Sequence, residues 1–85
     1  MDEALKTFSK NFYNRLKNTV NASVKCTVNE EEDKLNIEFN RLGLQYKTSI
    51  KDISEVINKG ESEIEIEFDK VMKRYRSFVN HKFFN

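Results

Sequence analysis

Hydrophobic positions along the chain change period several times, and each change predicts a new element. Over 2–20, Leu5, Phe8, Phe12, Leu16 and Val20 recur at steps of three and four, the spacing of one stripe on a helix. Lys6, Lys10, Asn14 and Lys17 fall on the opposite side, and Asp2 and Glu3 suit the positive end of a helix dipole. From Ala22 the period becomes two: Ala22, Val24, Cys26 and Val28 alternate with Ser23, Lys25 and Thr27, as in a strand with one buried face. Leu35, Ile37 and Phe39 repeat the alternation after a polar turn over 29–34. Leu44, Tyr46 and Thr48 repeat it again after a tight reversal at Asn40-Arg41-Leu42-Gly43, where Asn and Gly tolerate positive φ. These three strands form an antiparallel meander. With Val28 facing Leu35, Lys25 stands opposite Glu38 on the wet face.

The second half is helical with one ambiguous stretch. Ile50, Ile53, Val56 and Ile57 share a face, Ser49 and Asp52 resemble a capping box, and Gly60 sits where a left-handed C-terminus belongs, so 50–59 reads as a short helix. Residues 70–83 are amphipathic, with Val71, Met72, Tyr75, Phe78, Val79 and Phe83 on one face and Lys70, Lys73, Arg74, Ser77 and His81 on the other. Between them, Ile64, Ile66 and Phe68 alternate with Glu63, Glu65 and Glu67, which predicts a fourth strand over 61–68 ending at Asp69 as an N-cap. A single helix over 61–83 is the competing reading, because Ile64, Phe68, Val71, Met72 and Tyr75 also fit one helical face. The expected fold is a single α+β domain over 1–85. A small antiparallel sheet of three or four strands lies beneath two longer amphipathic helices and one short one, in two layers.

Composition narrows the function classes. Eighty-five residues are too few for a full nucleotide-binding α/β enzyme domain. One cysteine allows neither an intrachain disulfide nor a multi-cysteine zinc site. No apolar run approaches the ~20 residues that span a bilayer. The acidic first residues lack the pattern of a secretory signal, so a reduced, cytoplasmic setting without membrane contact is expected.

The near-neutral total hides a segregation: residues 1–29 carry +3, 30–69 carry −7 and 70–85 carry +5. Either the basic ends fold against the acidic middle, or the folded surface is dipolar. Ten asparagines and eleven lysines are typical of AT-rich genomes and point to an accessory protein of a phage or mobile element.

Catalytic chemistry has few carriers. His81, the only histidine, lies on a polar helix face with no carboxylate near it in sequence, and Cys26 points toward the core, where a thiol is a poor nucleophile. Gly43 and Gly60 stand alone, without a phosphate-cradling pattern. The acidic turn has no glycine to shape a cation loop, so neither metal nor cofactor is expected.

The expectation is a non-enzymatic module that binds another protein and modulates it by occlusion. Glu30, Glu31, Glu32, Asp33, Glu63, Glu65 and Glu67 are its candidate contact surface. The alternative is nucleic-acid binding through Lys70, Lys73, Arg74 and Arg76 of the last helix with Lys6, Lys10 and Lys17 of the first. Phe83 and Phe84 are candidates for homodimerisation or for completing the core.

Overall fold

The computed structural model describes residues 2–84. The order is α1 (Glu3–Thr19), β1 (Ser23–Asn29), β2 (Lys34–Arg41), β3 (Leu44–Lys51), α2 (Ile53–Lys59) and α3 (Glu61–Phe83). The strands form an antiparallel sheet in the order β1-β2-β3, with β1 and β3 as its edges. The register is the one the alternation implies, with Val28 opposite Leu35 and Lys25 opposite Glu38. The Glu38 carboxylate, however, accepts a hydrogen bond from Gln45 and stands 3.9 Å from Lys47, both on β3, rather than pairing with Lys25.

The core forms between the inner sheet face and the helices. Leu35, Ile37, Phe39 and Ile50 rise from the sheet. Phe8, Phe12 and Leu16 of α1, Ile53 and Val56 of α2, and Phe68, Val71, Met72, Tyr75 and Val79 of α3 close over them in one cluster. α1 packs on β1 and α3 on β3, while α2 fills the space between the two helices at one end. Asp2 caps α1 by accepting the Ala4 amide at 2.7 Å, satisfying one of the free donors of the first turn.

The expected strand over 61–68 is instead the start of α3, which runs unbroken to Phe83. Three local facts favour the helix. Glutamate is a good helix former and is depleted in strands, and this stretch holds four. Gly60, at φ 92, ends α2 and turns the chain so that its carbonyl accepts the Ile64 amide and opens α3 directly. The helical face gathers Ile64 and Phe68 with the residues that follow and leaves Ile66, which the strand would have buried beside them, 47% exposed. Asp69 accordingly lies inside the helix and caps nothing.

The expected start of the second helix also shifts. Ser49 and Ile50 continue β3, and α2 begins only at Ile53. Its N-cap residue, Asp52, is left-handed at φ 54 and makes no side-chain cap. Asp33 takes that role from the β1–β2 turn. Its carbonyl accepts the Ile53 amide at 3.1 Å, and its carboxylate accepts the Ser54 amide at 3.2 Å and the Ser54 hydroxyl at 2.6 Å. Asp33→Ala should therefore cost about 1–2 kcal/mol, as loss of an N-cap does, read as a lower urea midpoint with an unchanged slope. Glu31→Ala, on the same turn but exposed, should leave the midpoint in place.

Candidate binding surface

Topology converts the charge segregation of the sequence into a polarity along the molecule, whose extents are 39 × 23 × 22 Å. α3, with 23 residues, accounts for most of the long dimension at ~1.5 Å per residue. Its N-terminal half holds Glu61, Glu63, Glu65, Glu67 and Asp69, and its C-terminal half holds Lys73, Arg74, Arg76, His81 and Lys82. The β2–β3 hairpin meets the basic end: Arg41 lies over the Phe83 ring, 4.8 Å from its centroid, and shares a hollow with Thr19 of α1 and with Arg76 and Asn80 of α3. At the other end the acidic β1–β2 turn docks on α2, and Glu3 faces the same cleft as Glu61. Both long helices therefore point their positive ends at the acidic pole, where carboxylates stabilise them.

The acidic candidates are divided by the fold. On a helix, Glu63, Glu65 and Glu67 do not form a row. Glu65 meets Arg15 through two contacts of 2.6 and 2.7 Å, and the same guanidinium lies over Phe68 at 3.8 Å. The Arg15 hydrogen bond holds the Glu65 carboxyl below its ordinary range and raises the Arg15 guanidinium in turn. Glu63 and Glu67 face α2 among Lys51, Lys59 and Lys70, with Lys70 Nζ 3.2 Å from Glu67 Oε2 and out of line for a directed hydrogen bond. On the turn, Asp33 is committed to Ser54, and Glu32 is held by Asn29 and by Lys34 at 3.2 Å. The Glu30 carbonyl accepts the Asp33 amide, and Glu31 is exposed.

The basic candidates are likewise separated. Lys6 and Lys10 line a groove beside β1 together with Lys25, and Lys17 reaches toward the Tyr13 ring. Arg74 donates to the Ser49 carbonyl of β3 at 3.3 Å, and Arg76 lines the hollow with Arg41. Lys70 pairs with Glu67, whereas Lys73 is exposed. Because α1 packs on one sheet edge and α3 on the other, the two halves of this set occupy opposite flanks.

Cys26 is half-buried in the groove beside β1, where burial pushes its thiol up to about 11, and no histidine lines that groove. Among the described residues no three His, Cys, Asp or Glu side chains gather in a way that would hold a metal ion, and no helix is long and apolar enough to cross a membrane.

The apolar residues mark one place. Phe83 packs against the core beneath Arg41, while Phe84 is 73% exposed. Leu42, 82% exposed, and Leu44, 41% exposed, flank Gly43 on the hairpin that reaches Phe83. Three of the four large exposed apolar side chains among the described residues thus belong to this basic end. Sequence alternation had assigned Leu44 to a buried strand face and Leu42 only to a turn. The available signal was Leu42 itself: a two-residue reversal with positive φ at both positions, 52 and 81, favours Asn-Gly, and a leucine there is strained and placed against water. Comparison with protein-family models, with curated proteins and with solved structures finds no match to this chain.

Proposed function

We propose that this protein is a non-enzymatic binding module that covers a working site on another protein with its basic, apolar-tipped end. The supporting observation is the clustering of Leu42, Leu44 and Phe84 beside Arg41, on the same end as Arg76 and Lys82. Exposed apolar groups rimmed by polar ones are characteristic of interfaces. The partner is a protein with an apolar recess bordered by carboxylates, rather than a second copy, because self-contact would bring the arginines of two basic ends together. Nucleic acid is the weaker occupant: two of the three apolar side chains are aliphatic and offer bases no stacking platform. The bias toward Asn and Lys supports a phage or mobile-element origin, with a host protein as the target.

The test exploits the strain at Leu42. Leu42→Asn should stabilise the fold by about 1 kcal/mol, since Asn tolerates the left-handed backbone, which corresponds to ~4–8 °C in Tm. Combined with Phe84→Ser, it should reduce partner capture by at least about tenfold, the effect of removing a small apolar hot spot. Capture of the same partner undiminished by the double variant, but abolished by changing Glu30, Glu31 and Glu32 to Gln, would transfer the contact to the acidic turn. Salt-sensitive retardation of DNA or RNA, lost when Lys70, Lys73 and Arg74 become Gln, would replace the protein reading by the nucleic-acid one.

A further inference from the structure

The sheet has two edges; a side chain of α3 takes one outward carbonyl of β3, and none takes an outward group of β1. On β3, Arg74 reaches over from α3 to the Ser49 carbonyl. On β1, alternate backbone groups point away from β2, as on any antiparallel edge. Among the described residues none of those groups from Ser23 to Val28 has a hydrogen-bond partner on the outer side. The side chains tell the same story. Leu35, Ile37 and Phe39 of β2 are fully buried, whereas Val24, Cys26 and Val28, on the same inner face of β1, are only half-buried. They floor a groove of about 520 Å³ between the β1 edge and the flank of α1, walled by Tyr13. Lys6 and Lys10 rim it on the helix, and Lys25 rims it on the strand.

We propose that this groove receives an extended, acidic segment of a partner protein, added beside β1 as a fourth strand of the sheet. Backbone bonds to the free edge supply affinity, and alternate side chains supply specificity. Every second residue of the segment points to the α1 side and covers Val24, Cys26 and Val28, so a β-branched apolar residue fits there. The intervening residues lie on the outer sheet face beside Lys25, where a carboxylate is matched. Charge also decides against a second copy. Antiparallel β1–β1 pairing would place the two Lys25 side chains diagonally on one face with Lys6 and Lys10 of both copies nearby, and no carboxylate lines the groove. The surface is separate from the Leu42–Phe84 end, so the two proposals stand or fall independently.

The probe is a synthetic heptapeptide of alternating glutamate and valine with blocked ends, titrated into the ¹⁵N-labelled full chain. Amide shifts should concentrate at 23–28, and hydrogen exchange of alternate β1 amides should slow by at least about tenfold at saturation. A lysine–valine peptide should not bind. Lys6→Glu with Lys10→Glu should weaken the acidic peptide about tenfold or more, while Leu42→Asn with Phe84→Ser should leave its affinity unchanged. N-methylation of alternate peptide amides, in whichever register removes the donors facing β1, should abolish binding. Any of the following would overturn the proposal: no shift at 23–28 up to about 1 mM peptide, shifts confined to the Arg41–Lys82 end, affinity indifferent to N-methylation in both registers, or equal shifts at 23–28 from a single-stranded oligonucleotide. A concentration-dependent dimer that shifts the same amides without peptide would assign the edge to a second copy instead.

Discussion

Phe39→Ala should cost about 3–5 kcal/mol, the range for deleting a fully buried phenylalanine. Phe39 sits at 0% exposure on the central strand, so neighbours on both sides fix the backbone and the site cannot collapse inward to refill the space. Its ring stacks on Tyr75 of α3 at 4.3 Å between centroids and lies 6.3 Å from Tyr46 of β3, which in turn stacks on Phe78 at 5.0 Å. Removing it takes away the aromatic contact that joins sheet to helix, as well as the area it buries. At ~0.05–0.15 kcal/mol per residue, a chain of this size is stable by about 4–13 kcal/mol, so the loss is a large fraction of the total. Urea unfolding should show a much lower midpoint, or no folded baseline at 37 °C. Phe84→Ala removes the same ring from an exposed position and should change stability by no more than about 0.5 kcal/mol. Equal effects from the two substitutions would mean that Phe39 is not at the centre of the core.

Such a contrast between two phenylalanines was partly visible in the chain. Phe39 alternates with polar neighbours in a three-strand pattern, and that pattern fixes its face. Leu5, Phe8, Phe12 and Leu16 fix the face of α1 in the same way. Register was legible too, because shifting β2 by one residue would turn Leu35, Ile37 and Phe39 to water. Residues 61–68 were not decidable from period alone, since Ile64 and Phe68 belong to the apolar set of either a strand or a helix. What separates the two is whether a sheet edge accepts Ile66, and that depends on elements elsewhere in the chain. Locally, glutamate propensity and the positive φ of Gly60 favour the helix over the alternation.

The surfaces show a similar division. Net charge by segment was readable, but its direction in space depends on which hairpin end meets which helix end, and Arg41 against Phe83 decides that. Asp33 resembled three exposed carboxylates beside it. Its bonds to Ser54 depend on a left-handed φ of 52 and on a helix that starts 20 residues later. Arg15 reaches Glu65 across 50 residues, a pairing no local pattern encodes. Leu42 and Leu44 were missed because alternation is a rule about strand interiors, and both residues lie where the strands end. With 61–68 in α3, the sheet stops at three strands, and no strand of the described chain covers β1.

Ile66→Pro tests that assignment with the second-largest expected effect. Position 66 is the sixth residue of α3, beyond the first turn where proline is tolerated. There the ring removes the amide that bonds the carbonyl of Ser62 and clashes with that carbonyl, at a cost of about 3 kcal/mol. Because Ile66 is half exposed, little of that cost is lost packing, and Ile66→Ala isolates the remainder. Alanine, the better helix former, should change stability by no more than about 0.5 kcal/mol. The damage from proline should also be local at first. Amides of 64 and 65 should exchange faster than those of the sheet, and the Arg15–Glu65 contact should weaken as the first turns of α3 separate from α1. That contact gives a second readout through pH. Glu65 titrates below its ordinary value in the folded protein, so its contribution to stability is present above that ordinary value and is lost as pH falls through the lowered one. The parent should therefore lose more stability on acidification across that window than Ile66→Pro does, with Glu65→Gln matching the flatter profile. Were 61–68 an edge strand with Ile66 buried, Ile66→Ala would itself cost about 2 kcal/mol or more, and the gap between the two variants would close.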